Sequence, residues 1–315
     1  MAKPIETVIA SPQQMNLQWG IPSHAYAKLD DGTVWGPSWP ISGFRAASGQ
    51  ILDLTKCCQL NAGEGLQDFV QRISLGGSFI EIPILQRGQC YRRIWRGPTA
   101  NFLPGDSGPY LNETPFTHSF IGSLEQLESL FRNLGELFRV SHPAPDNLNS
   151  YGSAIRDLLI LACTEVEAQW KAIAIENHLP PILKHFNTKD YVKLLPAMKL
   201  NEYGISLLRY PGNPFVFPFN NWNPADPTQS LDWYNAYNQV KHDREAHFKE
   251  ATLGRAIYAV AACLVLLAAQ FGEHNLRHFQ LESPFHFQKI AHWEPKEWYY
   301  RPLVFADWDF VDCPL

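Results

Sequence analysis

YGSAIRDLLILACTEVEAQWKAI, residues 151–173, decides how the C-terminal half of the chain folds. Ile155, Leu158, Leu159, Ala162, Val166, Trp170 and Ile173 recur at steps of three and four. That is the period of one apolar helix face. Arg156, Glu167 and Lys171 fall on the other side of the same helix. Pro180 and Pro181 close the pattern. Downstream, residues 182–229 are mixed, with a strand predicted over 204–209 and then a Pro- and Asn-rich loop, NPFVFPFNNWNPADPTQ. Ser230 reads as the N-cap of a helix carrying LDWYNAYNQVKHDREAHF, with Asp232 favourable in its first turn. A further helix is predicted over 251–271, stopped by Gly272. Its apolar run IYAVAACLVLLAA, 257–269, is shorter than the ~20 residues that span a bilayer and reads as buried. From Gly272 onward the chain is dense in Phe, Trp and Tyr, and this tail is expected to wrap the helical core.

Upstream the texture differs. Residues 1–145 are rich in turn signals, such as Asp31-Gly32 and Gly36-Pro37. A helix is predicted at Leu66–Ile73 and an edge strand within 78–85, whose Pro83 cannot donate to a ladder. A longer helix is predicted over 123–138, with Ser123 and Gln126 as a capping box. Pro143, Pro145 and DNLNS read as a linker. The expected class is α+β: a mixed module at 1–145, a helical domain at 146–272 with a loop-rich insertion at 180–229, and an aromatic tail at 273–315.

Composition narrows the function. The 315 residues are 45% hydrophobic and only 18% charged, with net charge −5. A disordered chain, a coiled coil and a collagen-like chain are excluded. A protein coated in basic residues is excluded too, so any nucleic-acid surface is local. The N-terminus has no apolar signal segment, and the expected location is the cytoplasm, with no membrane partner. None of the six cysteines forms a CxxC pair, and they read as small buried residues.

The densest reactive set lies between Trp233 and His247. On a helix, Asn238 and His242 are i,i+4 neighbours. Histidine transfers protons near neutral pH. Lys241 or Arg244 can hold a phosphate. A histidine, an amide and two cations suffice in kind for RNA cleavage without a metal, because the 2′-hydroxyl is the nucleophile. The residue types equally suit a solvated helix end. A second set is the acid-free stretch 82–105, with Arg87, Arg92, Arg93 and Arg96 interleaved by Tyr91 and Trp95. Guanidinium groups beside aromatic rings suit phosphate contact and base stacking. A basic strand edge reads the same way. His274 and His278 have the spacing of a helical metal pair but lack the HExxH order. No cofactor is expected.

YGSAIRDLLILACTEVEAQWKAI together with WYNAYNQVKHDREAHFKEATLGRAIYAVAACL resembles bacterial proteins with a HEPN-like helical domain. The resemblance covers about 151–178 and 231–271. It implies a compact helical bundle, a homodimer, and metal-independent ribonuclease activity in toxin or antiviral-defence systems. It also implies a second defence-system protein as a partner. The family motif is an Arg, often followed by a polar residue, and then a His. By resemblance Asn238 is the polar position and His242 the histidine, while Tyr237 stands where the Arg is expected. The resemblance therefore implies either an RNA-cleaving effector, with Lys241 or Arg244 replacing the Arg, or a non-catalytic interaction module.

Overall fold

The computed structural model describes residues 3–12, 24–36, 44–45, 51–52, 60–73, 78–97, 114–210, 215–278, 281–300, 302–303 and 307–315. The protein is α+β, with strands concentrated in the N-terminal part and helices after it. The chain divides into two compact units.

The first unit holds residues 1–90, 96–110 and 293–310. Strands β1 (Pro4–Pro12), β2 (His24–Leu29) and β3 (Val34–Trp35) form an antiparallel meander. Strands β4 (Phe44–Arg45) and β5 (Ile51–Leu52) pair separately. Strand β6 (Ser78–Glu81) adds to the far side of β1, giving the order β3-β2-β1-β6. The predicted strand is thus an edge strand and stops before Pro83. Alternation along β1 separates two faces. Val8 and Ala10 pack with Leu66, Phe69 and Val70 of helix α1 (Leu66–Ile73). Ile9 packs on the opposite face with Ala25 and Tyr300. The aromatic tail is therefore shared out. Residues 293–310 belong to this unit, where Tyr300 buries against the sheet, and not to the helical core as expected.

The second unit holds 91–95, 111–292 and 311–315. Helix α2 (Thr117–Val140) belongs here, unlike its sequence assignment to the N-terminal module. It begins earlier than predicted, with Phe116 at the N-cap and no side-chain cap, so the Ser123–Gln126 box does not form. The reason is Phe120, which lies one turn before Leu124 and extends the buried stripe. Helix α3 (Ser153–Glu176) buries the stripe read from the sequence. After it come the short helices α4 (Thr188–Tyr191) and α5 (Leu194–Met198), and strand β7 (Gly204–Leu207). Helix α6 (Asp232–His242) starts at Leu231 without a side-chain cap. Ser230 instead accepts a hydrogen bond from the Asn223 amide at 3.0 Å, inside the preceding loop.

The predicted single helix over the KHDREAHF segment is broken. Asp243 leaves the helical region and its carboxylate accepts from the Ala246 amide at 3.0 Å. It thereby caps the separate turn α7 (Arg244–His247). An aspartate offered this bond competes with continued helix. Helix α8 (Leu253–Phe271) is capped by Thr252 and ends at Gly272, whose φ of +86° no side-chain-bearing residue adopts easily. Sixteen of its nineteen residues are buried, so this apolar segment is a core helix. Helix α9 (Glu273–His278) and strand β8 (Phe285–Lys289), which pairs with β7, complete the unit.

Helices α3 and α8 run in the same direction and in fixed register. Tyr151 bridges Thr252 at their starts. Further along, the Cys263 thiol lies 3.3 Å from the Ala162 carbonyl, and Gln270 donates to Gln169 at 3.0 Å. Each of these two pairs is 101 residues apart. The alanines of α8 permit this close approach. Trp170 of α3 is fully buried, stacked on Trp222 at 4.8 Å and edge-on to Tyr234 at 5.4 Å. This aromatic cluster seats α6 against α3.

Candidate functional site

The α6 end is anchored from both sides. At its start, Arg255 holds Asp232 through two hydrogen bonds of 2.7 and 2.9 Å, and Glu250 through its carboxylate at 2.7 Å and its carbonyl at 2.8 Å. At its middle, Glu167 of α3 accepts from the Tyr234 hydroxyl at 2.5 Å and from the Tyr237 hydroxyl at 3.3 Å. Lys241 donates to the Tyr237 oxygen at 2.8 Å, with its ammonium 4.9 Å from the ring centroid. The tyrosine hydroxyl raises the lysine pKa, so the group stays cationic. Burial and then Glu167 push Tyr234 far above the usual phenol range. Burial raises Tyr237 as well, partly offset by Lys241. Both tyrosines are therefore neutral donors at physiological pH. The sequence places Glu167 opposite the apolar stripe of its helix, and in the structure it is half-buried at the hub of the network.

His242 is exposed, and among the described residues no hydrogen bond or ion pair engages its ring. Asn238, its i,i+4 neighbour, donates its amide to the Tyr234 carbonyl of its own helix at 3.1 Å. Arg244 is exposed but lies beyond the break at Asp243. The structure thus brings Lys241 to the side chain of residue 237. Among the described residues no side-chain hydrogen bond joins Asn238 or Arg244 to His242. Two clefts of about 680 and 690 Å³ open on the helical unit, and neither includes these four residues.

The basic segment is mostly interior. Arg87, Arg93, Trp95 and Arg96 are only 6–9% exposed. Arg87 donates to the carbonyls of Ala25 at 2.6 Å and Gly36 at 2.8 Å, closing the strand unit. Arg93 donates to Gln270 at 3.0 Å and faces the Phe271 ring at 5.6 Å. Trp95 packs against His274 at 4.8 Å. Arg96 lies 4.5 Å from the Trp293 ring centroid and 4.0 Å from Glu297. A guanidinium supplies five donors in a rigid fork, which suits buried carbonyls as well as phosphate. Spacing alone does not separate the two uses. As a nucleic-acid surface these four residues are ruled out by burial.

Arg92 is the half-exposed member. It lies 3.3 Å from Asp312, whose other carboxylate oxygen pairs with His178 Nδ1 at 2.7 Å. The His178 contact is the main reason the Asp312 pKa is lowered. His178 sits just past the end of α3 with φ of +52°, where glycine is usual. Asn177 beside it donates to the Arg92 carbonyl at 2.8 Å and accepts from the Cys313 amide at 2.8 Å. This clip fastens three segments of the helical unit. No sequence signal marks it, since its members are 85 and 136 residues apart. Among the described residues no three His, Cys, Asp or Glu side chains cluster as a metal site. His274 is instead partly buried, with its pKa lowered first by burial and then by His278. Cys90, Cys163, Cys263 and Cys313 are buried thiols, while Cys57 and Cys58 lie outside the described residues.

Compared with protein-family models, curated proteins and solved structures, the chain matches none.

Proposed function

We propose that this chain is a cytoplasmic, metal-independent endoribonuclease of the HEPN-like kind, acting in a bacterial defence or toxin system. One observation carries the reading. The Lys241 ammonium rests on the hydroxyl of Tyr237, the position where the resemblance expects a cation, and His242 follows it in the chain, exposed and unengaged. Lys241 would leave the phenol oxygen for a phosphate oxygen, a stronger, charge-assisted bond. Neutral His242 would take the 2′-hydroxyl proton as that oxygen attacks the adjacent phosphorus. The P–O bond to the 5′-oxygen breaks, leaving a 2′,3′-cyclic phosphate. A protonated His242 from a second copy would supply the proton that the 5′-oxygen needs. Arg244 would add charge at the edge of the site.

The alternative is a non-catalytic interaction module. It is favoured by the Asn238 amide being satisfied within its own helix, and by the burial of the arginine segment. The test is RNA cleavage by the purified full chain in EDTA. Loss of at least about 100-fold with His242→Ala, and a comparable loss with Lys241→Ala, is expected. Undiminished cleavage by His242→Ala overturns the site. No cleavage of any RNA by a self-associated preparation moves the reading to the interaction module.

A further inference from the structure

We infer that the outer face of α3 docks on the same face of a second, antiparallel copy of this chain. Between residues 154 and 175 the exposed positions of α3 are Ala154, Asp157, Leu161, Thr164, Ala168, Lys171 and Ile175. Their spacing alternates three and four without exception, so they form one straight stripe. Leu161 and Ile175 are 46% and 51% exposed, two large aliphatic side chains on one helix face. At 1.5 Å per residue the stripe is about 30 Å long.

The sequence of the stripe is complementary to its own reverse. A two-fold axis beside Thr164 sets residues of the two copies level with one another in pairs, to within one residue's rise of about 1.5 Å. Leu161 comes level with Ala168 of the second copy, and Ile175 with Ala154. Each large side chain thus meets a small one on both sides of the axis. Asp157 comes level with Lys171 of the second copy, giving two opposite-charge pairs. A same-sign arrangement would have forbidden this register.

The charged groups are free to act. Both hydrogen bonds that Arg156 donates to Asp157 end on Oδ1, at 3.0 and 2.6 Å. Oδ2 is left for a partner. Lys171 is exposed, and among the described residues no acceptor engages its ammonium. A single helix face falls short of the ~800 Å² per partner of a standard interface. Tyr151 before α3, and Ile182 and Leu183 after it, are further exposed apolar side chains next to its two ends in the chain. Such an interface is isologous, as two-fold contacts require.

This inference does not rest on the ribonuclease reading, and failure of RNA cleavage leaves it standing. The test is sedimentation equilibrium of the full chain over a range of concentrations, with folding checked by circular dichroism. The wild type is expected to form dimers. Asp157→Lys and Lys171→Asp are each expected to weaken self-association about tenfold, because each variant places like charges level twice per dimer. An equimolar mixture of the two variants is expected to form heterodimers at close to wild-type affinity, since every level pair is then opposite in charge. That rescue also shows that each variant folds. A wild type that stays monomeric throughout overturns the inference. So do single variants that dimerise normally, or a mixture that gives no gain over its components.

Discussion

Tyr237→Phe isolates the network beneath the α6 end. The substitution keeps the ring, whose centroid lies 5.5 Å from that of Tyr234, and removes only the hydroxyl. Its hydrogen bonds with Lys241 and Glu167 go with it, and so does its interaction with the Thr164 side chain. The one from Lys241 at 2.8 Å is charge-assisted, but the ammonium is exposed and regains water when released. Its loss is about 0.5–1 kcal/mol, well under the buried value. The one to Glu167 at 3.3 Å is long, and Glu167 keeps the shorter bond from Tyr234. Its loss adds about 0.5 kcal/mol. The expected destabilisation is therefore about 1–1.5 kcal/mol, against 3–5 kcal/mol for Tyr237→Ala, which also empties the buried ring's space. The assay is urea denaturation of the full chain with a double-mutant cycle on Lys241→Met. A coupling of about 0.5–1 kcal/mol between the two positions is expected. RNA cleavage by Tyr237→Phe should fall about tenfold, since the lysine loses its seat but not its charge. Zero coupling, with cleavage unchanged, refutes the argument that residue 237 positions Lys241.

Other consequences are as specific. Burial raises the phenol of Tyr191 to about 12 and pushes those of Tyr203 and Tyr234 higher still. A phenol raised on folding contributes stability that is complete below about pH 10 and is lost as pH rises through the folded value. Denaturation series at pH 9 and pH 11 should show that loss, on the order of 1 kcal/mol per pH unit for each phenol, and Tyr191→Phe should shrink it. Gln270→Leu strips Arg93 Nε and Gln169 Oε1 of their partners in a buried seam. A cost of about 3 kcal/mol is expected, and the double variant with Gln169→Leu should cost less than the sum of the singles, read by the same denaturation.

Local patterning made much of the fold legible before any tertiary contact. The three-and-four spacing from Ile155 to Ile173 set the buried face of α3, and the unbroken apolar run 257–269 marked a helix hidden on all sides. Gly272 stopped that helix as read. Turn-flanked residues 78–81 became an edge strand. Periodicity works here because burial of a stripe depends on which residues share a face, and the chain's own geometry dictates that.

Caps and partners were less legible, for a physical reason. Ser230 and Ser123 had the right side chains, but one was taken by the Asn223 amide and the other lay inside a helix lengthened by Phe120. Asp243 could continue a helix or cap the next one, and a single bond to Ala246 decided it. The arginines at 87, 93 and 96 have the same chemistry in a core as on a surface, and only the carbonyls and rings placed around them settled the matter. Likewise Glu167 became the acceptor for two tyrosines only when α6 packed on α3, and Arg92, His178 and Asp312 met only when distant segments closed. By itself the sequence determined the helices, their buried faces and the α+β class, all products of short-range stereochemistry and hydrophobic period. The tertiary structure alone decided which charged groups face solvent. That depends on contacts between residues far apart in the chain, and no local pattern encodes them.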